Sequence, residues 1–73
     1  MDKEWRKKIF FKQGKLRSIV YERLTEPKTA TELSKELGKH RSTISQVLLD
    51  LEKAGFAKCI NPEDDKFRHY VKR

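Results

Sequence analysis

The sequence predicts a mainly α-helical domain, a core of three helices ending in a small β-hairpin, with a helix-turn-helix at its centre. Three observations carry that expectation. Ile44, Val47, Leu48, Leu51 and Ala54 recur at three- and four-residue spacing, which at about 100° per residue gathers them on one arc of a helix. Gly38 and Gly55 each close an apolar-periodic run, as glycine does where a helix ends in the left-handed conformation. After Gly55 the pattern turns from helical to extended, two short apolar runs flanking Asn61-Pro62-Glu63-Asp64-Asp65-Lys66.

Taken in order, residues 1–14 form a basic, aromatic N-terminal arm. Trp5 and Ile9 stand one helical turn apart, whereas Ile9, Phe10 and Phe11 side by side also fit a strand, so the arm is helical or extended. Three large apolar side chains in a row cannot all face one small core. Trp5, Ile9, Phe10 and Phe11 are therefore assigned to a homodimer interface, the alternative being that they cover the chain's own core. From Lys15 to Thr25, Leu16, Ile19, Val20 and Leu24 resume helical spacing, and Pro27 stops that helix. Thr29-Ala30-Thr31-Glu32 has the form of a capping box, with Thr31 as an alternative N-cap, and Ala30, Leu33 and Leu37 line one face of a helix of about two turns.

The second helix of the pair starts near Arg41 and turns Ser42, Ser45, Gln46, Leu49 and Lys53 away from its apolar arc. Two helices joined by a short glycine turn form a helix-turn-helix, whose second helix can lie in the major groove of DNA. No carboxylate occurs between Gly38 and Gln46, so nothing in that first turn repels phosphates.

Composition narrows the partners. Seventy-three residues make a single domain spanning 1–73, and a net charge of +7 attracts a polyanion. Seven basic residues against two acids lie in residues 1–17, while Glu63, Asp64 and Asp65 gather near the other end. A single cysteine, with no signal-peptide core and no long apolar run, points to a cytoplasmic protein that does not cross a membrane. Cys59, His40 and His69 match no zinc spacing, and no nucleophile-base set, P-loop or dinucleotide fingerprint is present. No metal, cofactor or enzymatic activity is expected.

The order of helix, link, helix, glycine turn, helix and hairpin resembles the winged helix-turn-helix regulators of the ArsR and MarR type in bacteria and archaea. The resemblance rests on Thr31-Glu32-Leu33-Ser34-Lys35-Glu36-Leu37-Gly38, Arg41-Ser42-Thr43-Ile44-Ser45, Leu48, and Leu51-Glu52-Lys53-Ala54-Gly55-Phe56. It implies a helix-turn-helix over 31–55, a wing over 56–72, an inward-facing Ile44, Leu48 and Leu51, and a transcription regulator of double-stranded DNA. It also implies groove and phosphate contacts from Lys39, His40, Arg41, Ser42, Thr43, Ser45 and Gln46; for the wing, either Lys58, Lys66 and Arg68 reach the duplex from its flanks while its tip stays off, or the wing serves another partner. Three departures accompany the likeness. His40 stands where a serine N-cap is usual, giving a weaker cap or a phosphate contact; the wing tip is acidic rather than basic; and the first helix of the pair holds no cysteine, so thiolate metal sensing by that route is not expected.

Within the site, two readings remain open at several positions. Arg41 either reads guanine bidentately or clamps a phosphate, and Gln46 either pairs with adenine or lies on a solvated face. Leu49 either meets a thymine methyl or is merely exposed. Two other functions use the same fold: a protein-interaction module, favoured by the acidic wing tip and Leu49, and RNA or single-strand binding, for which Phe67 and Tyr70 supply few aromatics.

Overall fold

A computed structural model describes residues 14–64 and 66–73. The expected arm, with Trp5, Ile9, Phe10 and Phe11, lies outside the described residues. Three helices follow one another, α1 over Lys15–Glu22, α2 over Ala30–Leu37 and α3 over Arg41–Lys53, and then strands β1 over Ala57–Cys59 and β2 over Tyr70–Lys72. The strands pair antiparallel in the register Ala57 with Lys72, Lys58 with Val71 and Cys59 with Tyr70. This is the winged helix-turn-helix arrangement.

One core joins these elements. Val20 and Leu24 come from α1 and the turn after it, Leu33 from α2, Ile44, Val47, Leu48 and Leu51 from α3, Ala57 from β1 and Tyr70 from β2. The stripe on α3 is thus buried as its spacing predicts, apart from the half-buried Ala54. Ile19 departs from expectation: it sits at the edge of the α1 stripe and is 44% exposed. The first helix is also shorter than the expected 15–25. Arg23 N–H reaches the carbonyls of both Ile19 and Val20, and Leu24 N–H reaches Tyr21 O at 3.1 Å. Such three-residue bonds tighten a last turn. The tightening carries Leu24 back into the core.

Thr29, rather than Thr31, caps α2. Its hydroxyl accepts from Glu32 N–H at 3.1 Å while Glu32 Oε1 accepts from Thr29 N–H at 3.0 Å, which completes the capping box. The Thr29 N–H bond is the main cause holding the Glu32 carboxyl below its ordinary pKa. At the far end Gly38 has φ 65°, and Lys39 N–H bonds back to Ser34 O at 3.0 Å. Helix α3 ends the same way, with Gly55 at φ 85° and Phe56 N–H on Leu51 O at 2.9 Å.

The hairpin strands are shorter than the expected 56–60 and 67–72, because side chains in the loop capture backbone groups that would otherwise extend the ladder. Asn61 Oδ1 accepts from His69 N–H at 2.6 Å and its amide donates to Phe67 O at 2.8 Å. A connection with no counterpart in the sequence reading lies on the other edge of β2. Lys28 N–H donates to Tyr70 O at 3.1 Å and Tyr70 N–H to Lys28 O at 2.8 Å, an isolated antiparallel bridge from the α1–α2 link.

Substituting Gly38→Ala isolates the backbone requirement of the turn, since a Cβ there meets nothing within 4 Å. The left-handed conformation alone then destabilises the domain by about 1–2 kcal/mol, read as a lowered urea midpoint with an unchanged m-value.

Candidate nucleic-acid interface

Because its apolar stripe is buried, α3 can present only its other arc. Arg41, Ser42, Thr43, Ser45 and Gln46 are exposed, as are Lys39 and His40 in the turn before them. On this arc, residues four apart stack in rows along the helix. Arg41, Ser45 and Leu49 form one row and Ser42, Gln46 and Asp50 the other.

The first row faces the wing. Arg41, Ser45 and Leu49 of the helix and Lys66 and Arg68 of the wing line one cleft of about 160 Å³, which Ala30, Thr31 and Tyr70 complete. Two cations predicted for the wing are therefore brought beside the arginine predicted for the helix. Leu49 is half-buried at this cleft rather than standing freely exposed. Lys58 is not brought there: it is exposed on β1 opposite Val71, and does not line the cleft.

The second row runs towards α1. Gln46 Nε2 donates to Asp50 Oδ1 at 3.2 Å, and an Arg17 guanidinium nitrogen donates to Asp50 Oδ2 at 3.3 Å. The nearest carboxylate on this arc thus faces a cation from another helix. The sequence pattern does not show this neutralisation. Its i to i+4 half, Gln46 to Asp50, follows from helical spacing. Arg17 lies 33 residues from Asp50, too far for any local pattern to pair them.

At the N-terminus of α3, His40 takes the N-cap position with φ −66° and ψ 141°, and its side chain makes no capping bond. The cap is thus the weaker one expected where histidine replaces serine. No acid lies in the first turn, so its backbone N–H groups and the positive end of the helix dipole face outward without a carboxylate beside them.

The acidic wing tip is organised differently from a repelling cluster. Asp64 Oδ1 accepts from the N–H groups of both Lys66 and Phe67 at 2.9 Å, and these bonds, with Phe67 first, hold its carboxyl below the ordinary range. Arg68 Nε donates to Asp64 O at 3.0 Å. One of the three acids is therefore turned onto the backbone, where it shapes the loop that carries Lys66 and Arg68. Glu63 is exposed, and Asp65 lies outside the described residues. Asn61 and Asp64 were absent from the predicted site. Their signal was present, since Asn and Asp in a turn capture nearby backbone N–H groups.

A depressed folded-state pKa means that the Asp64 carboxylate contributes order above its ordinary pKa and loses that contribution as pH falls through the folded value. Acid titration followed by NMR should therefore shift the Lys66 and Phe67 amide signals below the usual carboxylate range. In Asp64→Asn, where an amide oxygen still accepts but does not titrate, those two signals should lose the acid-dependent step; wild-type amides that ignore acid would refute the assignment.

No helix among the described residues is long and apolar enough to cross a membrane. Comparisons with curated proteins and with solved structures give no match. Residues 17–58, more than half of the chain, match the family described as bacterial regulatory protein, arsR family, from within α1 through both helices of the helix-turn-helix into β1. The match supports the ArsR half of the resemblance. The chain belongs to the ArsR family of bacterial regulatory proteins, DNA-binding transcription regulators built on a helix-turn-helix.

Proposed function

We propose that residues 1–73 act as one domain that recognises a specific double-stranded DNA sequence, with α3 entering the major groove by its N-terminal end. The observation that carries this reading is the cleft between α3 and the wing, lined by Arg41 from the helix and by Lys66 and Arg68 from the wing. A phosphate backbone passing along that cleft meets cations from both elements. Lys39, His40, Ser42 and Thr43 lie at the open first turn and serve phosphates, which fix the register of the helix. Ser45 and Gln46, further along, are assigned to base edges, and Leu49 beside the cleft to a thymine methyl. Lys58 serves a phosphate outside the cleft, from the exposed face of β1.

Trp5, Ile9, Phe10 and Phe11 are proposed to join two copies, on the support of their sequence pattern. A two-fold dimer sets two recognition helices about 34 Å apart and calls for a palindromic site. The same copies act in the cytoplasm, a reading supported by the single cysteine. A second reading has one specific observation in its favour. Phe67 is 55% and Ile60 48% exposed, both on the wing, and two large apolar side chains there suit a protein partner.

Affinity for duplex DNA measured across a salt series separates the readings. Each phosphate neutralised contributes a slope of about 0.9 in log K per decade of salt, so Arg41→Ala should weaken binding and flatten the slope by about that amount. Binding by Arg41→Ala that matches wild type removes the role assigned to Arg41; recovery of a protein partner, with no duplex binding at low salt, selects the wing-docking reading.

A further inference from the structure

We infer that Asp50 is a specificity-determining positioning residue: held by Arg17, it fixes the orientation of the Gln46 amide so that this position of α3 accepts adenine and refuses guanine and thymine. The inference rests on the reading that α3 lies in the major groove.

The chemistry of the three side chains leaves little choice. An ionised carboxylate only accepts hydrogen bonds, so the amide atom facing Asp50 Oδ1 at 3.2 Å must be the nitrogen of Gln46. An amide turned the other way would set two acceptors against each other. Gln46 Oε1 is thereby directed away from Asp50. Arg17 occupies the second oxygen of Asp50 at 3.3 Å, with the Arg17 and Asp50 side chains 25% and 29% exposed. Being anchored on α1, it gives Asp50 a partner that does not move with α3. Gln46 itself is exposed, so its oxygen and second amide hydrogen remain available to a ligand.

A free glutamine on a solvated face flips its amide and offers either edge outward. One held by Asp50 offers an acceptor, with a single N–H beside it. In the major groove only adenine and cytosine present an amino donor, while guanine O6 and thymine O4 present acceptors that oppose a carbonyl oxygen. Adenine adds N7, which takes the remaining amide hydrogen. Cytosine has no such acceptor there, so adenine is favoured over it too. A good bidentate pair discriminates by roughly tenfold or more.

The test is selection of bound fragments from random duplex DNA, followed by affinity measurements on single-base variants of the selected site. Wild type should show one position per half-site where adenine exceeds guanine by about tenfold, and Gln46→Ala should lose the preference at that position. Asp50→Asn, whose own amide can turn either way, should lose the same preference while keeping the remainder of the motif and the salt slope. Combining Gln46→Glu with Asp50→Asn should restore a preference for amino-bearing bases, now towards cytosine, because a carboxylate accepts whatever its neighbour does. Recovery in the double variant also shows that the loss in Asp50→Asn is not loss of folding. An adenine preference that survives in Asp50→Asn overturns the inference, as does a double variant without restored preference. Failure to select any duplex overturns the groove reading and this inference with it, whereas a motif unaltered by the Asp50 change overturns this inference alone.

Discussion

Burial of Ile44, Val47, Leu48 and Leu51 in one cluster with Val20, Leu24 and Leu33 sets the rotation of α3 about its own axis. Each such side chain, when fully buried, contributes about 1.5–3 kcal/mol, far more than any single contact on the outer arc. A turn of the helix by one residue position would bring Ser45 or Asp50 inward and strip the core of its filling. The outward rows follow from this constraint: Arg41, Ser45 and Leu49 line the cleft shared with the wing, and in the row of Ser42, Gln46 and Asp50 it is Asp50 that pairs with Arg17 of α1.

The electrostatics of the domain are arranged around that face. An excess of positive charge draws a polyanion, but it is the placement of the acids that decides where the polyanion is tolerated. Glu32 is engaged in capping α2, Asp64 in bonding the wing backbone, and Asp50 with Arg17. Each of these carboxylates has hydrogen-bond donors of its own. The first turn of α3 has none beside it, and a cleft with three cations adjoins it.

How much of this was legible depended on the range over which each signal acts. The α3 stripe, Gly38, Gly55 and the Thr29–Glu32 capping box rest on neighbours a few residues apart along the chain, and all appear where their patterns put them. Helix α1 ended early because a tightened turn competes with continued helix at Arg23 and Leu24, and the pattern of apolar residues is the same for both. Strand ends were misplaced where Asn61 and Asp64 out-competed the ladder for backbone groups. The Arg17–Asp50 pair and the cleft that Lys66 and Arg68 share with Arg41 depend on the whole fold, and no window along the chain contains them. The resemblance supplied the wing cations as candidates, but Lys58 shows its limit: residue type and strand assignment were right, and the outward face of β1 puts it away from the cleft.

The bridge between Lys28 and Tyr70 has a mechanical consequence. Lys28 precedes the residue that caps α2, and Tyr70 begins the strand that returns from the wing tip, so two backbone hydrogen bonds tie the wing to the start of the helix-turn-helix. Sideways displacement of the hairpin would pull on the Thr29 cap and hence on α2. The returning strand is thus held on both edges, by β1 on one and by Lys28 on the other, so the wing is fastened to the entry of the helix-turn-helix as well as to its exit.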